Sequence, residues 1–476
     1  MSDNTDVIEA PAADAGEEDT VHPEIRDDDN NLSADFVSFV QTALANGDRD
    51  ALIAVAKDLH EADTADLIEA LDADERIAFI DNLGEDFDYL ALIELDETIR
   101  DEIVEALPNE RLAEAVQEFD SDDAVELLED MDAEDQSAIL SFMPAAERIA
   151  IQRSLEYPED SAGRLMQMDF IAVPPFWTVG DAIDYSRESD DLPDEFYELF
   201  VIDPSFHLVG TLPLYRLLRT KRPVKVEEIM DPARHWVDLT DDQEEVARVF
   251  ERYNLVSVPV LDASERLVGV ITVDDIVDVI HEEADEDIKR LGGVGDEGIA
   301  DTVASITRYR FPWLFINLLT AIAASMVISL FEGVIAQVVA LAVLMPIVAS
   351  MGGNAGTQSL TVAVRALATR ELTSSNARRI VIREITVGLL NGIGFAVIMG
   401  ILGGLWAESV TVGLVLAGAM VINMLVAGLA GILIPITLEK LKFDPAVSSA
   451  VFVTTVTDVV GFFVFLGLAS LALGLV

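Results

Sequence analysis

Residues 447–475 read VSSAVFVTTVTDVVGFFVFLGLASLALGL, an apolar run interrupted by one acid, Asp458. The hydrocarbon core of a bilayer is about 30 Å thick, and roughly 20 apolar residues in helical form cross it. This run is long enough, and four others precede it at 311–331, 335–366, 385–405 and 410–438. Backbone polar groups in lipid are satisfied only in a helix or a closed barrel. The C-terminal third is therefore read as five transmembrane α-helices. Runs two and four are over-long and contain Pro346 and Pro435. Proline removes a donor and clashes with the preceding turn, so breaks or kinks are expected there.

Charge divides the chain sharply. Residues 1–300 carry 79 of the 87 acids and 21 of the 30 Lys and Arg, whereas residues 301–476 carry 8 acids and 9 bases. So acidic a surface repels nucleic acid, whose phosphates need Lys and Arg to neutralise them, and it attracts cations. With no cysteine there is neither a disulfide framework nor a thiolate metal site. Residues 1–31 have no basic or apolar stretch, so they are expected to be a disordered acidic tail rather than a signal peptide.

The bases of the membrane part set its orientation. Arg308 and Arg310 precede span one, five arginines (365, 370, 378, 379 and 383) lie between spans two and three, and Lys440 and Lys442 lie between spans four and five. Five spans with a cytoplasmic N-terminus put all nine inside, as the positive-inside rule requires. The other loops hold the acids Glu332 and Glu408. The expected product is a multi-pass cell (plasma) membrane protein with its acidic half in the cytoplasm and its C-terminus extracellular.

A carboxylate at the bilayer centre costs roughly 2.5–3.5 kcal/mol on insertion scales. At helical spacing Thr454, Asp458 and Gly461 share a face, with Thr455 nearby. Such an acid either glues helices together or binds a cation or proton. Span two contains Met351-Gly352-Gly353-Asn354-Ala355-Gly356-Thr357-Gln358. The glycines suit close helix packing, but Asn354 and Gln358 do not need it. Non-helical backbone lining a wet cavity is the other reading. Carbonyl and carboxylate oxygens together suit a hard cation, and Asn423 in span four offers one more. No His or Cys lies in the spans, which disfavours a soft metal.

In the acidic half, residues 32–156 repeat apolar positions at i, i+3 and i+4, as in Thr64–Leu71 of the sequence TADLIEAL, which reads as an all-α superhelical or bundle domain. Between 157 and 282 a segment recurs at an offset of 59: FVIDPSFHLVG at 200–210 and PVLDASERLVG at 259–269. Each is strand, turn, strand, followed by a helix. This repeat resembles tandem CBS domains, paired regulatory modules of α/β fold. That resemblance implies an adenine nucleotide, such as ATP, held by Thr272 and Asp275 of the second copy. The first copy has Thr211-Leu212-Pro213-Leu214 instead. Residues 282–287 then hold five acids in six positions. Carboxylates at i and i+4 repel one another, and a divalent ion relieves that. An isoelectric point near 4.1 gives a competing account, a salt-adapted halophilic surface.

Together these features resemble the MgtE family of magnesium channels and transporters. The resemblance runs from about residue 40 to the C-terminus and is carried by the linker YPEDSAGRLM at 157–166, the CBS pair, GGNAGTQ at 352–358, and Thr454–Gly461 after Phe443-Asp444-Pro445-Ala446. It implies a homodimer with a pore between subunits, an acidic connecting "plug" helix at 283–310 and a pore domain at 311–476. It further implies Mg²⁺ as both substrate and regulator. Asp458 stands at the family's pore aspartate, with Asn354, Gly353, Thr454 and Asn423 as its expected surroundings. The family's cytosolic Mg²⁺ sites correspond to Asp275, Asp278, Glu283, Glu286, Asp287, Glu244, Asp122 and Asp123. An acid common in the family is Asn254 here.

The expectation is an Mg²⁺ channel closed by cytosolic Mg²⁺. The alternatives are a carrier of Co²⁺ or Mn²⁺, a cation/proton exchanger, or a membrane-anchored CBS sensor. No nucleophile–base constellation points to an enzyme, and no GxxxxGK[ST] motif points to a primary pump.

Overall fold

The computed structural model describes residues 22–474 apart from 118, 130, 190, 191, 194, 195, 296, 299–301 and 374. The chain forms two compact units, Met1–Ile280 and His281–Val476.

In the first unit a helix over Ala34–Asn46 is followed by short helices whose first residues fall at 49, 61, 73, 97, 109, 121, 133 and 145, in steps of 12 or 24. Two 3₁₀ turns, Gly84–Asp86 and Tyr89–Leu92, occupy the place of the missing member. Leucine, isoleucine, valine and phenylalanine from every repeat form one core, Phe36, Leu52, Ile68, Phe79, Leu92 and Ile103 among them. Aspartates begin alternate repeats: Asp48 accepts from Ala51 N–H, Asp72 forms a capping box with Glu75, and Asp96 accepts from Thr98 N–H. Each cap satisfies an orphan donor of the first turn. Part of the chain's acidity is thus structural.

The acidic tail does not extend to residue 31 as expected. Residues 1–21 lie outside the described residues, but His22 is buried with its ring edge-on to Phe36 at 5.4 Å. Arg26 pairs with Asp63 and with Asp66 at 2.5 Å. Ile25 and Leu32 pack on the same core, so this segment is held by apolar contact as well as by the ring and the guanidinium.

The 59-residue repeat is visible in the strands. Glu198–Ile202 pairs antiparallel with Leu208–Pro213, and Ser257–Leu261 pairs likewise with Leu267–Thr272. Even the irregularities recur, with register shifts at Val201/Ile202 and Val260/Leu261. The turn residues Phe206 and Glu265 share a left-handed backbone, at φ 67° and 60°. Ala172–Val173 and Val237–Asp238 add a parallel strand to each sheet.

The acidic stretch is not a separate helix over 283–310. It is the second half of Val273–Gly292, which begins in the second CBS copy. Gly293, at φ 72°, ends it, and Thr302 caps the next helix.

The second unit holds five helices long and apolar enough to cross a membrane: Val303–Ser329, Ala340–Ala368, Ala377–Trp406, Val410–Lys440 and, within Pro445–Leu473, Ala450–Leu473. A short helix, Glu332–Gln337, joins the first two. Pro346 and Pro435 lie inside continuous helices, so of the expected breaks or kinks the breaks do not occur. Span four is central. A Cβ on Gly413 would sit 2.4 Å from Gly400 O, and one on Gly388 2.8 Å from Met424 O. Spans three and four therefore touch backbone to backbone, which only glycine allows.

Candidate functional site

Span five carries the polar stripe. Thr454 Oγ1 donates to Ala450 O at 2.9 Å, Thr455 Oγ1 to Val451 O at 2.6 Å, and Thr457 Oγ1 to Thr454 O at 2.9 Å. These hydroxyls spend their protons on their own helix and keep oxygen lone pairs to offer. Asp458 is half-buried, with no hydrogen bond or ion pair recorded to any described residue. Ionisable side chains are rare and costly within spans and almost always face the bundle interior or a water-filled cavity.

The glycine-rich motif of span two is helical throughout, so its carbonyls are not exposed as expected. Two of its three glycines serve packing. A Cβ on Gly352 would lie 2.2 Å from Asn423 Nδ2, and one on Gly356 2.5 Å from a methyl of Val453. Asn423 is fully buried, donates Nδ2–H to Val348 O at 2.8 Å, and leaves Oδ1 enclosed without a partner. Gly461 of span five approaches the same amide, at 2.9 Å from Cβ to Nδ2. Asn423 is therefore the wedge joining spans two, four and five, not an oxygen on an open surface. The other side of the motif is different. Asn354, Thr357 and Gln358 are exposed on the single chain, and a Cβ on Gly353 would meet nothing within 4 Å.

In the first unit the structure brings three of the expected acids together. Asp122 is buried, and neither of its carboxylate oxygens has a hydrogen-bond partner among the described residues. Burial, then repulsion from Asp275 and Asp123, raises its pKa well above the ordinary range. Burial and Asp275 push Asp123 up to about 7. Asp275 is also pushed up to about 7 by burial, with the opposing hydrogen bond from Thr272 Oγ1 at 2.8 Å only partly compensating. Asp278 is exposed one turn on. Glu244 stands apart from this group and pairs with Arg248 at 3.1 Å.

The second unit gathers a smaller group. Glu286 pairs with Arg290, which also reaches Asp444 at 2.6 Å. Asp444 in turn caps span five by accepting from Ala446 N–H at 2.7 Å. Burial and the nearby Asp444 raise Asp287, opposed by Arg365. Glu283 is half-buried on the same helix. Among the described residues no three His, Cys, Asp or Glu side chains form a ready-made metal cage. The acids are close enough to repel without being closed around an ion.

The cleft beside Thr272 is tight. Gln167, Phe170, Glu198, Ser257 and Thr272 line a cavity of about 20 Å³, near the space of a single water. Glu198 and Ser257, equivalent positions of the two copies, hydrogen-bond across it at 2.9 Å.

One acid escaped the sequence reading. Glu384 is buried near the start of span three and accepts from Ser359 Oγ of span two at 2.9 Å. It sits beside Arg383, one residue before the expected span, and so reads as an ordinary interfacial charge. Only a longer helix reveals it.

Fold and site define the class: a polytopic helical membrane protein with a CBS pair and, in its last span, a carboxylate without a counter-charge among the described residues. The profile described as "Divalent cation transporter" (MgtE) matches residues 345–468, the "MgtE intracellular N domain" residues 59–160, and the CBS domain residues 226–282. The Magnesium transporter MgtE of Bacillus subtilis is 36% identical over 322 residues, 67% of this chain and 71% of that protein. That of Thermus thermophilus is 36% identical over 330 residues, 68% and 73% respectively. The chain belongs to the MgtE family of divalent cation transporters. Among solved structures, the cytosolic domain of the Mg²⁺ channel MgtE in complex with ATP aligns with a TM-score of 0.47 at 31% identity, over 51% of this chain and 99% of that one. The soluble part of a magnesium transporter aligns at 0.46 and 27%, over 52% and 98%.

Proposed function

We propose that this protein carries Mg²⁺ into the cell through a path built around Asp458, and that cytosolic Mg²⁺ closes it. The observation that carries this reading is Asp458 itself, a half-buried carboxylate in span five with no recorded protein counter-charge. Mg²⁺ sheds its waters reluctantly and is held through one or two carboxylates with several waters kept. A single acid flanked by threonine oxygens suits a partly hydrated ion better than a dehydrating cage. The exposed row of Asn354, Thr357 and Gln358 favours a second copy of the chain across the path, since polar side chains in lipid find partners on another helix. An inside-negative membrane potential draws a divalent ion inward by about 4.6 kcal/mol per 100 mV, twice the single-charge value.

Closure is electrostatic. Asp122, Asp123 and Asp275 crowd one another in the first unit, as do Asp287 and Asp444 in the second. A divalent ion offsets such repulsion and favours the compact arrangement, and without it the acids push apart. Binding to one state shifts the population toward that state. Glu244 and Glu286 already hold arginines, so they contribute only by exchanging partners. An adenine nucleotide held at Thr272 and Asp275 belongs to the same reading.

The test is Mg²⁺ flux into proteoliposomes. Wild type should transport without a proton gradient, and internal Mg²⁺ should inhibit it. Asp458→Ala should abolish uptake in correctly assembled protein. Wild-type flux in that variant would refute the path, and strict proton coupling would indicate an exchanger.

A further inference from the structure

Spans two, three and four meet within one turn of span four. A Cβ on Gly428 would lie 3.1 Å from Glu384 O of span three. A Cβ on Gly431, three residues on, would lie 2.7 Å from both Ser359 Cβ and Gly356 O of span two. Both contacts are smooth. Glycine against backbone permits close approach but offers no directional resistance to one helix turning on another. A hydrogen bond is directional, weakening steeply away from linearity. One such bond closes this triangle: Ser359 Oγ to Glu384 Oε2, at 2.9 Å. The second carboxylate oxygen faces Arg383 Nε at 3.3 Å, whose side chain is 58% exposed while that of Glu384 is 11% exposed.

A carboxylate is an expensive way to fill such a place, because an apolar side chain avoids desolvating a polar group. Both oxygens of Glu384 face protein donors, so it is a brace and not a vacant ligand for the transported ion. What it braces is informative. Ser359 follows Gln358 directly and lies five residues after Asn354 on an unbroken helix. Any rotation of span two at Ser359 is carried rigidly to Asn354, Thr357 and Gln358, the exposed polar row of the proposed path.

We propose that Glu384 is a positioning residue: its hydrogen bond with Ser359, acting with that of Asn423 to Val348 O about three turns away along span two, sets the rotation of span two, and so the direction in which Asn354, Thr357 and Gln358 face. Its consequence for transport rests on the proposed function, whereas its geometric content does not.

The protein contains no cysteine, so single cysteines report without background. Asn354→Cys, Thr357→Cys and Gln358→Cys, each in the full chain in proteoliposomes, are labelled with a membrane-impermeant thiol reagent. Labelling is repeated with Glu384→Ala, Glu384→Gln or Ser359→Ala present. Glu384→Ala and Ser359→Ala should change the ratio of labelling among the three positions. Without a probe cysteine, they should slow Mg²⁺ uptake about tenfold, as loss of a hydrogen bond to a charged group implies. Glu384→Gln keeps an acceptor for Ser359 and should restore both. An unchanged labelling ratio in Glu384→Ala overturns the proposal, as does failure of Glu384→Gln to restore it. If Glu384→Ala does not assemble, Ser359→Ala decides, because it deletes one oxygen and leaves the carboxylate. Labelling needs no transport, so wild-type protein that fails to carry Mg²⁺ refutes the function while the labelling ratio still judges the brace.

Discussion

Replacing Asp123 with asparagine should stabilise the protein at alkaline pH. Asp123 sits on the helix Ser121–Glu129 beside the buried Asp122 and faces repulsion from Asp275 and Asp120. Its pKa rises from the ordinary 3.8 to about 7. A folded-state pKa raised above the unfolded value means that the folded protein prefers the neutral acid. The penalty is absent below about pH 4, grows as pH rises toward 7, and is complete above that. At 1.36 kcal/mol per decade it amounts to about 4 kcal/mol at pH 8, of which about 2.5 kcal/mol develops between pH 5 and pH 8. Asp122 and Asp275 titrate with it, so the three penalties belong to the cluster and do not simply add. The assay is hydrogen exchange of residues 121–129 in the full chain in nanodiscs, with EDTA, corrected for intrinsic exchange rates. Wild type should lose protection from pH 5 to pH 8, and Asp123→Asn, which leaves Asp122 and Asp275 in place, should lose less. Adding Mg²⁺ at pH 8 should restore wild-type protection. Wild-type protection independent of pH, or an equal slope in the variant, would refute the reasoning.

Two further substitutions probe the second unit. Gly352→Ala places a methyl 2.2 Å from Asn423 Nδ2, in a junction where that amide is fully buried and fixed to Val348 O. With no room to relax it should lower stability by about 1–3 kcal/mol, read as thermal unfolding in detergent, and an unchanged midpoint would contradict the wedge. Arg290→Gln releases Glu286 and Asp444 from a guanidinium that competes with divalent ions for them. On the proposed gating, half-maximal inhibition by internal Mg²⁺ should move to a severalfold lower concentration, in keeping with the roughly 0.2–1 kcal/mol of a part-exposed pair. A shift to higher concentration would make Arg290 part of the closed state rather than a competitor.

The candidate site was legible to different depths at different residues. Asp458 stood out because one acid in a long apolar run has few explanations. Asn354 and Gln358 stood out as polar side chains that packing does not need, and both are exposed. Asn423 is equally polar, yet it is enclosed by Gly352 and Gly461 from two other spans. Its role depends on neighbours 71 and 38 residues away in sequence, which no local pattern contains. Glu384 was hidden by a boundary of a few residues, since hydropathy marks the apolar centre of a helix but not its ends. The acids of residues 1–300 were the hardest to sort. Asp48, Asp72 and Asp96 are caps, Glu244 and Glu286 are paired, and Asp122, Asp123 and Asp275 are buried together. Composition treats all of them alike.

The sequence by itself determined the number of spans, the CBS repeat and the division between an acidic and an apolar half. Each follows from a period or a length that solvent imposes on the chain: about 20 apolar residues for a bilayer, alternation for a strand. Tertiary structure alone decided that GGNAGTQ stays helical, that Pro346 and Pro435 do not break their helices, and that the acidic stretch continues the last CBS helix. A glycine permits close packing and an open loop equally well, and a proline permits a kink without requiring one. Which option is realised depends on the surface that comes to lie against it, and that surface is set by distant parts of the chain.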